Sequence, residues 1–226
     1  MALQAQSASD SSPFGARIST QHVGQGGRGV TTRLSELVGD AADPTKNTIT
    51  ITNRSNEAGS YSFYQNEQPY VPGANSYASV VLQPGESKTI TLPTGWAGYM
   101  QKLNGQRSDP HTRVEVAFNQ WRDLTFSNLS YEDGNNAAML LRSGNEDRET
   151  GSDADLIARA RAEGLTSFDS SGREVIGFAE GQGDVPVPRI VDFYRRNLQR
   201  GKGYVLHGDD ESSGGSSDKR VIVDVY

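Results

Sequence analysis

The sequence contains no cysteine, which excludes several kinds of site at once. Disulfide frameworks, thiolate nucleophiles and cysteine-ligated metals all require this residue. Histidine is scarce as well, and neither His22 nor His111 has a partner at metal-ligand spacing. The segment His207 to Glu211 is rich in oxygen donors but is more simply explained as a charged hairpin tip. We therefore predict a fold that rests on packing alone, with no metal and no cofactor.

The sequence also lacks a hydrophobic run near the ~20 residues that a membrane-spanning helix needs. Basic residues are not in excess, since the formal net charge is -6 and the pI is about 5.1. This balance disfavours nucleic acids and anionic membrane surfaces as partners. The first residues have no apolar signal segment, so we expect a cytoplasmic protein, although a trimmed secreted form would look the same. The oligomeric state stays open.

Composition divides the chain into two parts. Residues 1–44 are rich in Ser, Gly, Gln and Ala, which predicts a flexible N-terminal arm. From residue 45 onward, short segments of alternating polarity are separated by turn residues, and this pattern is typical of an antiparallel β-sandwich. Glycine at a positive φ is expected in the turns Pro72-Gly73, Pro84-Gly85 and Asp133-Gly134. The fold class is therefore mainly β, with strands predicted at 47–53, 60–65, 77–82, 87–92, 113–118, 123–129 and 220–226.

Between about 143 and 203 the sequence becomes polar and helical rather than alternating. Ser152 is a candidate N-cap for a first helix that Gly164 ends. A second helix is expected after Pro188, with arginines at its C-terminal end, where cations suit the helix dipole. We predict a helix-bearing lobe inserted before the last strands of the domain at 45–226.

Several segments, in this order, resemble the thaumatin-like proteins, a family that plants use in defence and that also occurs in fungi. The resemblance covers about residues 47 to 226 and implies a thaumatin-like sandwich with an acidic cleft beside the lobe. The chain departs from the family by lacking its many paired cysteines. The segments are "ITITNRS", "LQPGESKTITLP", "GWAGYMQKLNG", "VEVAFNQW", "LTFSNLSYEDGNNAAM", "DADLIARARAEGL" and "VDFYRRNLQRGKGYVL". In the third segment, Trp96 is expected to pack within a turn formed by Gly95 and Gly98.

The family's cleft carries an Arg, a Glu and several Asp, a set linked to binding or slow cleavage of β-1,3-glucans. Transferred one position at a time, the Glu falls on Glu115 and one Asp on Asp133. The Arg falls on Leu103, or on Lys102 after a shift of one residue. Another Asp falls on Thr125, whose hydroxyl cannot replace a carboxylate as a base. A further acid falls near Arg200, where the alignment is loose.

Glu115 and Asp133 are therefore the candidate catalytic carboxyls, because glycoside hydrolysis needs a pair of them. Asp123 and Glu132 lie close enough in sequence to substitute. We interpret Glu115 first as a solvated residue of the cleft wall. The predicted ligand-binding residues are Glu115, Asp133, Asp123, Lys102, Thr125 and Tyr99.

Aromatic residues supply flat faces on which sugar rings could stack, and these are Tyr61, Tyr64, Tyr70, Tyr77, Tyr99 and Trp121. The leading hypothesis is a protein that binds a glycan or another small polar ligand in the cleft. The second is an enzyme, either a weak endo-β-1,3-glucanase or a cyclase-like activity in a reassigned cleft. The third is a defence or effector protein whose outer surface meets another protein. The sequence alone does not choose among them.

Overall fold

A computed structural model describes residues 43–68, 71–181 and 184–226 of the chain. Within these ranges the chain is mainly β, with fourteen strands and two α-helices. The predicted arm falls almost entirely on residues 1–42, which lie outside the described residues. The strands are β1 Thr48–Asn53, β2 Gly59–Gln68, β3 Val71–Pro72, β4 Ala78–Leu82, β5 Ser87–Thr91, β6 Ala97–Lys102, β7 Arg113–Ala117, β8 Thr125–Ser130, β9 Met139–Ser143, β10 Glu149–Ser152, β11 Thr166–Phe168, β12 Glu174–Ile176, β13 Gly214–Ser216 and β14 Arg220–Val225, and the helices are α1 Leu156–Ala162 and α2 Pro188–Asn197.

The first sheet has the strand order β10-β9-β14-β1-β5 among the described strands. Its central pair joins the ends of the domain, because Ile49 of β1 lies opposite Val221 of β14. This pair is parallel, whereas we predicted antiparallel pairing throughout, and every other strand pair in the described ranges is antiparallel. A parallel pair needs a long connection, and here the whole domain between residues 53 and 220 supplies it.

The second sheet runs β13-β8-β7-β6-β2, with β3 and β4 both paired to β2, in the part of the chain that the structure describes. Strand alternation gives it one apolar and one polar face. The apolar face packs against the first sheet in a single hydrophobic core, which is the arrangement of a β-sandwich. That core includes Ile49, Ile51, Ile90, Val221, Val223 and Val225 from the first sheet and Phe63, Val80, Met100, Val114, Val116 and Leu129 from the second.

Two of the three predicted glycine turns are confirmed. Gly85 has a φ of 77° and Gly134 a φ of 99°, a backbone conformation that side chains with a Cβ rarely adopt. Gly73 does not have a positive φ, so the prediction was wrong there. Instead it approaches β2 closely, since a Cβ would lie 3.1 Å from the carbonyl oxygen of Gln65.

Trp96 is a packing residue, as expected, with 1% of its surface exposed. Its ring lies near those of Tyr77 and Phe118, at centroid distances of 6.3 and 6.5 Å. Gly95 makes the preceding turn at a φ of 74°. A Cβ on Gly98 would overlap the carbonyl oxygen of Tyr64, so glycine lets β6 approach β2.

The lobe contains both helices, but it also contains strands that were not predicted. β10 extends the first sheet, and β11 and β12 form a separate hairpin. These strands have three or four residues each, too few to show an alternating pattern in the sequence. Helix α1 is capped by Asp155, whose carboxylate accepts a hydrogen bond from Ala158 N, so the predicted cap at Ser152 was wrong. Gly164 follows the helix at a φ of 65°, as predicted.

Helix α2 begins at Pro188, as expected, and buries Ile190, Phe193 and Tyr194. Arg195 and Arg196 lie in its last turn. Neither of the two helices in the described ranges is long and apolar enough to cross a membrane.

Candidate functional site on the polar face of the second sheet

Four side chains form a row across the polar face of the second sheet. Tyr64 of β2 lies opposite Tyr99 of β6, Tyr99 opposite Glu115 of β7, and Glu115 opposite Asn128 of β8. Because neighbouring strands are about 4.7–4.9 Å apart, side chains in such a row are in contact range. The row brings two predicted site residues, Tyr99 and Glu115, side by side.

Arg113 stands two residues before Glu115 on β7 and therefore on the same face. Its Nη2 forms an ion pair of 2.5 Å with Oδ2 of Asp133, in the turn after β8. Both side chains are largely enclosed, with 20% and 9% of their surfaces exposed. Together with their neighbours they define the sheet-face cluster, which comprises Tyr64, Tyr99, Arg107, His111, Arg113, Glu115, Asn128, Glu132 and Asp133.

The charge of Arg113 is held by the acids around it. Burial by itself would lower the pKa of Arg113, but Asp133, followed by Tyr99, Glu115 and Glu132, outweighs burial and raises it above its usual value. The guanidinium therefore stays charged at every pH at which the protein is folded. It also lies over the ring of Tyr99, with its central carbon 4.7 Å from the ring centroid.

Glu115 is buried rather than solvated, contrary to our interpretation of it as an exposed cleft-wall residue. It has 9% of its surface exposed, and its Oε2 accepts a hydrogen bond of 3.1 Å from Asn128 Nδ2. The alternation of β7 correctly placed its side chain on the other face of the strand from Val114 and Val116. It did not reveal that the polar face is itself covered by the loops and the lobe.

Glu132 connects the cluster to the lobe. Its Oε2 accepts a hydrogen bond from Ser130 Oγ, and its carbonyl oxygen accepts one from Ala179 N at 2.9 Å. The next lobe residue, Glu180, accepts a hydrogen bond from His207 N through Oε1. The carboxylates of the cluster therefore lie where the sandwich and the lobe meet.

An aromatic stack forms one side of the cluster. The rings of Tyr64 and Tyr99 are stacked at 5.0 Å with an interplanar angle of 22°, and His111 lies on Tyr99 at 6.2 Å. Arg107, from the loop between β6 and β7, covers Tyr64, with its guanidinium carbon 4.0 Å from the ring centroid. Its Nε donates to the hydroxyl of Tyr99 at 3.0 Å, and its Nη1 donates to the carbonyl of Ala74 at 2.7 Å.

His111 is neutral in the folded protein. Its Nδ1 donates to the carbonyl oxygen of Asp109 at 2.6 Å, since that oxygen can only accept. Its Nε2 is buried and has no hydrogen-bond partner among the described residues. Burial, and then the charge of Arg113, lower the pKa of His111 to about 4. Nε2 of His111 is therefore a buried acceptor that receives no hydrogen bond from the described residues.

Three predicted ligand-binding residues do not reach the cluster. Lys102 shares the opposite face of β6 with Met100, and burial followed by the charge of Arg173 lowers its pKa. Thr125, 2% exposed, is on the core side of β8, because strand alternation groups it with Leu129. The transfer of single motif positions cannot distinguish the two faces of a strand, whereas the observed register can.

Asp123 lies at the other end of β7 from Asp133. It accepts hydrogen bonds from Asn119 Nδ2 and from Lys219 Nζ, both at 2.7 Å. It is exposed and belongs to a short loop in which Arg122 and Asp123 both have positive φ. Of the two substitute acids, only Glu132 therefore joins Glu115 and Asp133.

The predicted stacking aromatics are also divided by the structure. Tyr64 and Tyr99 belong to the cluster, while Tyr61 is fully buried in the core and Tyr77 packs against Trp96. Trp121 is 57% exposed on the loop that carries Asp123 and is covered on one face by Arg122. Tyr70 lies outside the described residues.

Sequence reasoning missed the two arginines of the cluster. Arg113 could have been found, because a residue two positions before Glu115 on a strand must share its face. Arg107 could not, since only the folded loop brings it over Tyr64. The family's Arg was sought at Leu103 and Lys102, one strand away from the arginine that contacts the acids.

The arrangement is suited to holding polar groups in place. It offers a permanently charged guanidinium, carboxylates, an amide, a neutral imidazole and two tyrosine rings within one enclosed face. In the described ranges, His, Asp and Glu side chains form no group of three or more that could hold a metal ion. An arginine in contact favours the ionised form of a carboxyl group, so Asp133 is poorly placed to act as a proton donor.

Comparisons with known proteins add little to this geometry. Neither a protein-family model nor a curated protein sequence matches the chain. Among solved structures, the protein elicitor MoHrip2 from Magnaporthe oryzae is similar over 79% of this chain and 98% of its own, with a TM-score of 0.40 and 7% sequence identity. A likeness at this level supports no inference about function.

Proposed function

We propose that this protein binds a glycan, or a similar neutral polar ligand, in the sheet-face cluster without cleaving it. The ligand class is the one that the thaumatin-like resemblance implies, namely β-1,3-glucan. The observation that carries the proposal is the stack of Tyr64 and Tyr99 beside Arg113, Glu115 and Asp133. Binding sites for small polar ligands typically combine such aromatic faces with a few fixed polar groups.

Arg107 is the side chain that a ligand would replace on Tyr64. It comes from a loop, is half-buried, and makes two cation-π contacts, with Tyr64 and Tyr99, and two hydrogen bonds. Those contacts are together worth on the order of 2–3 kcal/mol. A sugar ring that packs on Tyr64 and bonds to the hydroxyl of Tyr99 would restore most of this energy, so exchange is feasible.

Cleavage is disfavoured by the ion pair that holds Asp133, one of the two candidate carboxyls. Glycoside hydrolysis requires one protonated and one ionised carboxyl on either side of the bond. Asp133 is paired with Arg113, and Glu115 is buried and bonded by Asn128. The ion pair favours the ionised form of Asp133 and occupies an oxygen that a base or nucleophile would use, so Asp133 is not free for either catalytic role.

The test is a titration of the ¹⁵N-labelled protein with laminarihexaose, followed by NMR, with a reducing-sugar assay on the same samples. We expect saturable shifts at Tyr99, Arg107 and Arg113 and no release of reducing sugar. Glu115→Gln and Asp133→Asn should each change the affinity by no more than about tenfold, or ~1.4 kcal/mol. Tyr64→Leu should weaken binding by more than tenfold.

Trp121→Leu is the matched control, because it removes an exposed aromatic far from the cluster. An affinity that falls with Trp121→Leu and not with Tyr64→Leu would overturn the proposed site. Laminarin cleavage that vanishes in Glu115→Gln would establish the enzyme hypothesis instead. An absence of saturable shifts would leave the protein-interaction hypothesis as the better one.

A further inference from the structure

A concave site lies at the C-terminal end of α2, away from the sheet-face cluster. It is a cavity of about 480 Å³ between that helix and the segment 199–212. Small-molecule sites usually have volumes of roughly 300–1,000 Å³, so the cavity has room for one small ligand. None of the residues that line it belongs to the sheet-face cluster.

The charged residues of the cavity wall form two ion pairs. Arg200 binds both carboxylate oxygens of Glu211, through Nε at 2.6 Å and through Nη2. Arg195 Nη2 binds Asp209 Oδ1 at 2.7 Å. Two positive and two negative groups therefore cancel, and the wall has no net charge.

The pairs differ in how firmly they are held. Asp209 Oδ2 also accepts hydrogen bonds from Val205 N and Leu206 N, at 2.9 and 3.0 Å, which fixes this carboxylate. Arg200 and Glu211 are 86% and 60% exposed. Exposed pairs contribute little to stability, so these two side chains can re-orient around a ligand at low cost.

The remaining wall combines apolar side chains, glycine backbone and the polar residues Gln199 and Ser212. Leu198 provides apolar surface beside the buried side chains of Tyr194 and Val205, while Gly201 and Gly203 leave the backbone uncovered by side chains. An apolar patch beside fixed donors and acceptors suits a molecule with one hydrocarbon face and several hydroxyl groups.

We propose that this cavity binds a neutral polyhydroxylated molecule the size of a monosaccharide. A guanidinium has five N–H donors, and the ion pair with Glu211 occupies only part of those of Arg200. Vicinal hydroxyls both donate and accept, so they can bridge arginine and carboxylate without separating them. A free anion or cation would have to compete with an existing partner for the same atoms.

The test is a separate NMR titration with D-glucose, with myo-inositol and with sulfate. We expect saturable shifts at the amides of Gly201, Gly203 and Gly208 with the two neutral compounds, and none with sulfate. The double variant Arg200→Gln/Glu211→Gln keeps the net charge and should weaken binding at least tenfold. The control Arg173→Gln/Glu57→Gln removes another exposed Arg–Glu pair, outside the cavity, and should bind as the wild type does.

Three results would overturn the proposal. Shifts with sulfate alone would identify an anion site. Shifts confined to the sheet-face cluster would support the proposed function but not this cavity. No saturable shift with either neutral compound, in protein whose circular dichroism shows it folded, would mean that the cavity does not bind this class.

Discussion

Arg113 and Asp133 form an ion pair of 2.5 Å that joins strand β7 to the turn after β8, on the polar face of the sandwich. The pair also fixes the position of the guanidinium that lies over the ring of Tyr99, 4.7 Å from its centroid. The contribution of the ion pair to stability can be separated from the burial of each side chain by comparing the two single variants with the double variant.

We expect Arg113→Met to lower the free energy of unfolding by about 3 kcal/mol, because it leaves Asp133 buried without its partner. Asp133→Leu should have a similar effect. The double variant should be less destabilised than the sum of the two by at least ~1 kcal/mol, since it leaves neither charge unpaired. Urea unfolding measures all three, and strict additivity would show that the pair is not coupled.

The folded protein should lose stability as the pH falls from about 6.5 to about 4. The pKa of His111 is lowered to about 4, whereas an unfolded histidine titrates near 6.5. Between these two pH values His111 is protonated in the unfolded chain but not in the folded protein. The free energy of unfolding present above pH 6.5 therefore decreases progressively as the pH falls.

The size of this effect is at most about 3 kcal/mol, from ~1.4 kcal/mol per unit of pKa shift. Urea unfolding of wild type and His111→Gln between pH 4 and 7.5 measures it. The difference between the two proteins should shrink towards low pH. His207→Gln, at an exposed histidine, is the control and should retain the wild-type profile.

Tyr194→Phe should raise stability by about 1 kcal/mol. The hydroxyl of Tyr194 is buried and has no hydrogen-bond partner among the described residues, and an unsatisfied buried group costs about 1–3 kcal/mol. Tyr204→Phe is the matched comparison, because the hydroxyl of Tyr204 accepts a hydrogen bond from Gly208 N at 2.9 Å. The melting temperature and the urea midpoint should therefore both rise for Tyr194→Phe and both fall for Tyr204→Phe.

Asp155→Ala should destabilise the protein by about 1 kcal/mol, because it removes the N-cap of α1. Asp153→Ala, an exposed carboxylate two residues earlier, should change stability by less than about 0.5 kcal/mol. Equal effects would mean that general charge near the helix, rather than the cap, determines its stability.

Local signals in the sequence were sufficient for most of the sandwich. Alternation at Ile49 and Ile51, or at Val114 and Val116, correctly predicted strands and their buried faces. The parallel pairing of β1 with β14 was not predictable in this way, because register between distant strands depends on the whole fold. The strands of the lobe were missed because they are too short to show a period.

The candidate site was predictable only in part, because the sequence indicates residue types but not the strand face or loop path that positions them. Glu115, Asp133, Glu132 and Tyr99 do come together. Glu115 and Asp133 were identified from motif positions, Glu132 from its nearness in sequence and Tyr99 as an aromatic residue. Lys102 and Thr125 were included because a motif position specifies distance along the chain but not the face of the strand. Arg107 reaches Tyr64 through a loop whose path no periodic pattern records.

The pairing of β1 with β14 has a consequence for how the protein is made. Ile51 of β1 lies opposite Val223 of β14, so this pairing cannot form until residues 220–225 have been synthesised. Before that point, β1 can pair only with β5. Contacts this distant in sequence close slowly, since a long loop must be ordered before they form. During that interval the edge of β1 that later pairs with β14 is unpaired and able to join another strand. The nascent chain is therefore at greatest risk of aggregation just before β14 emerges.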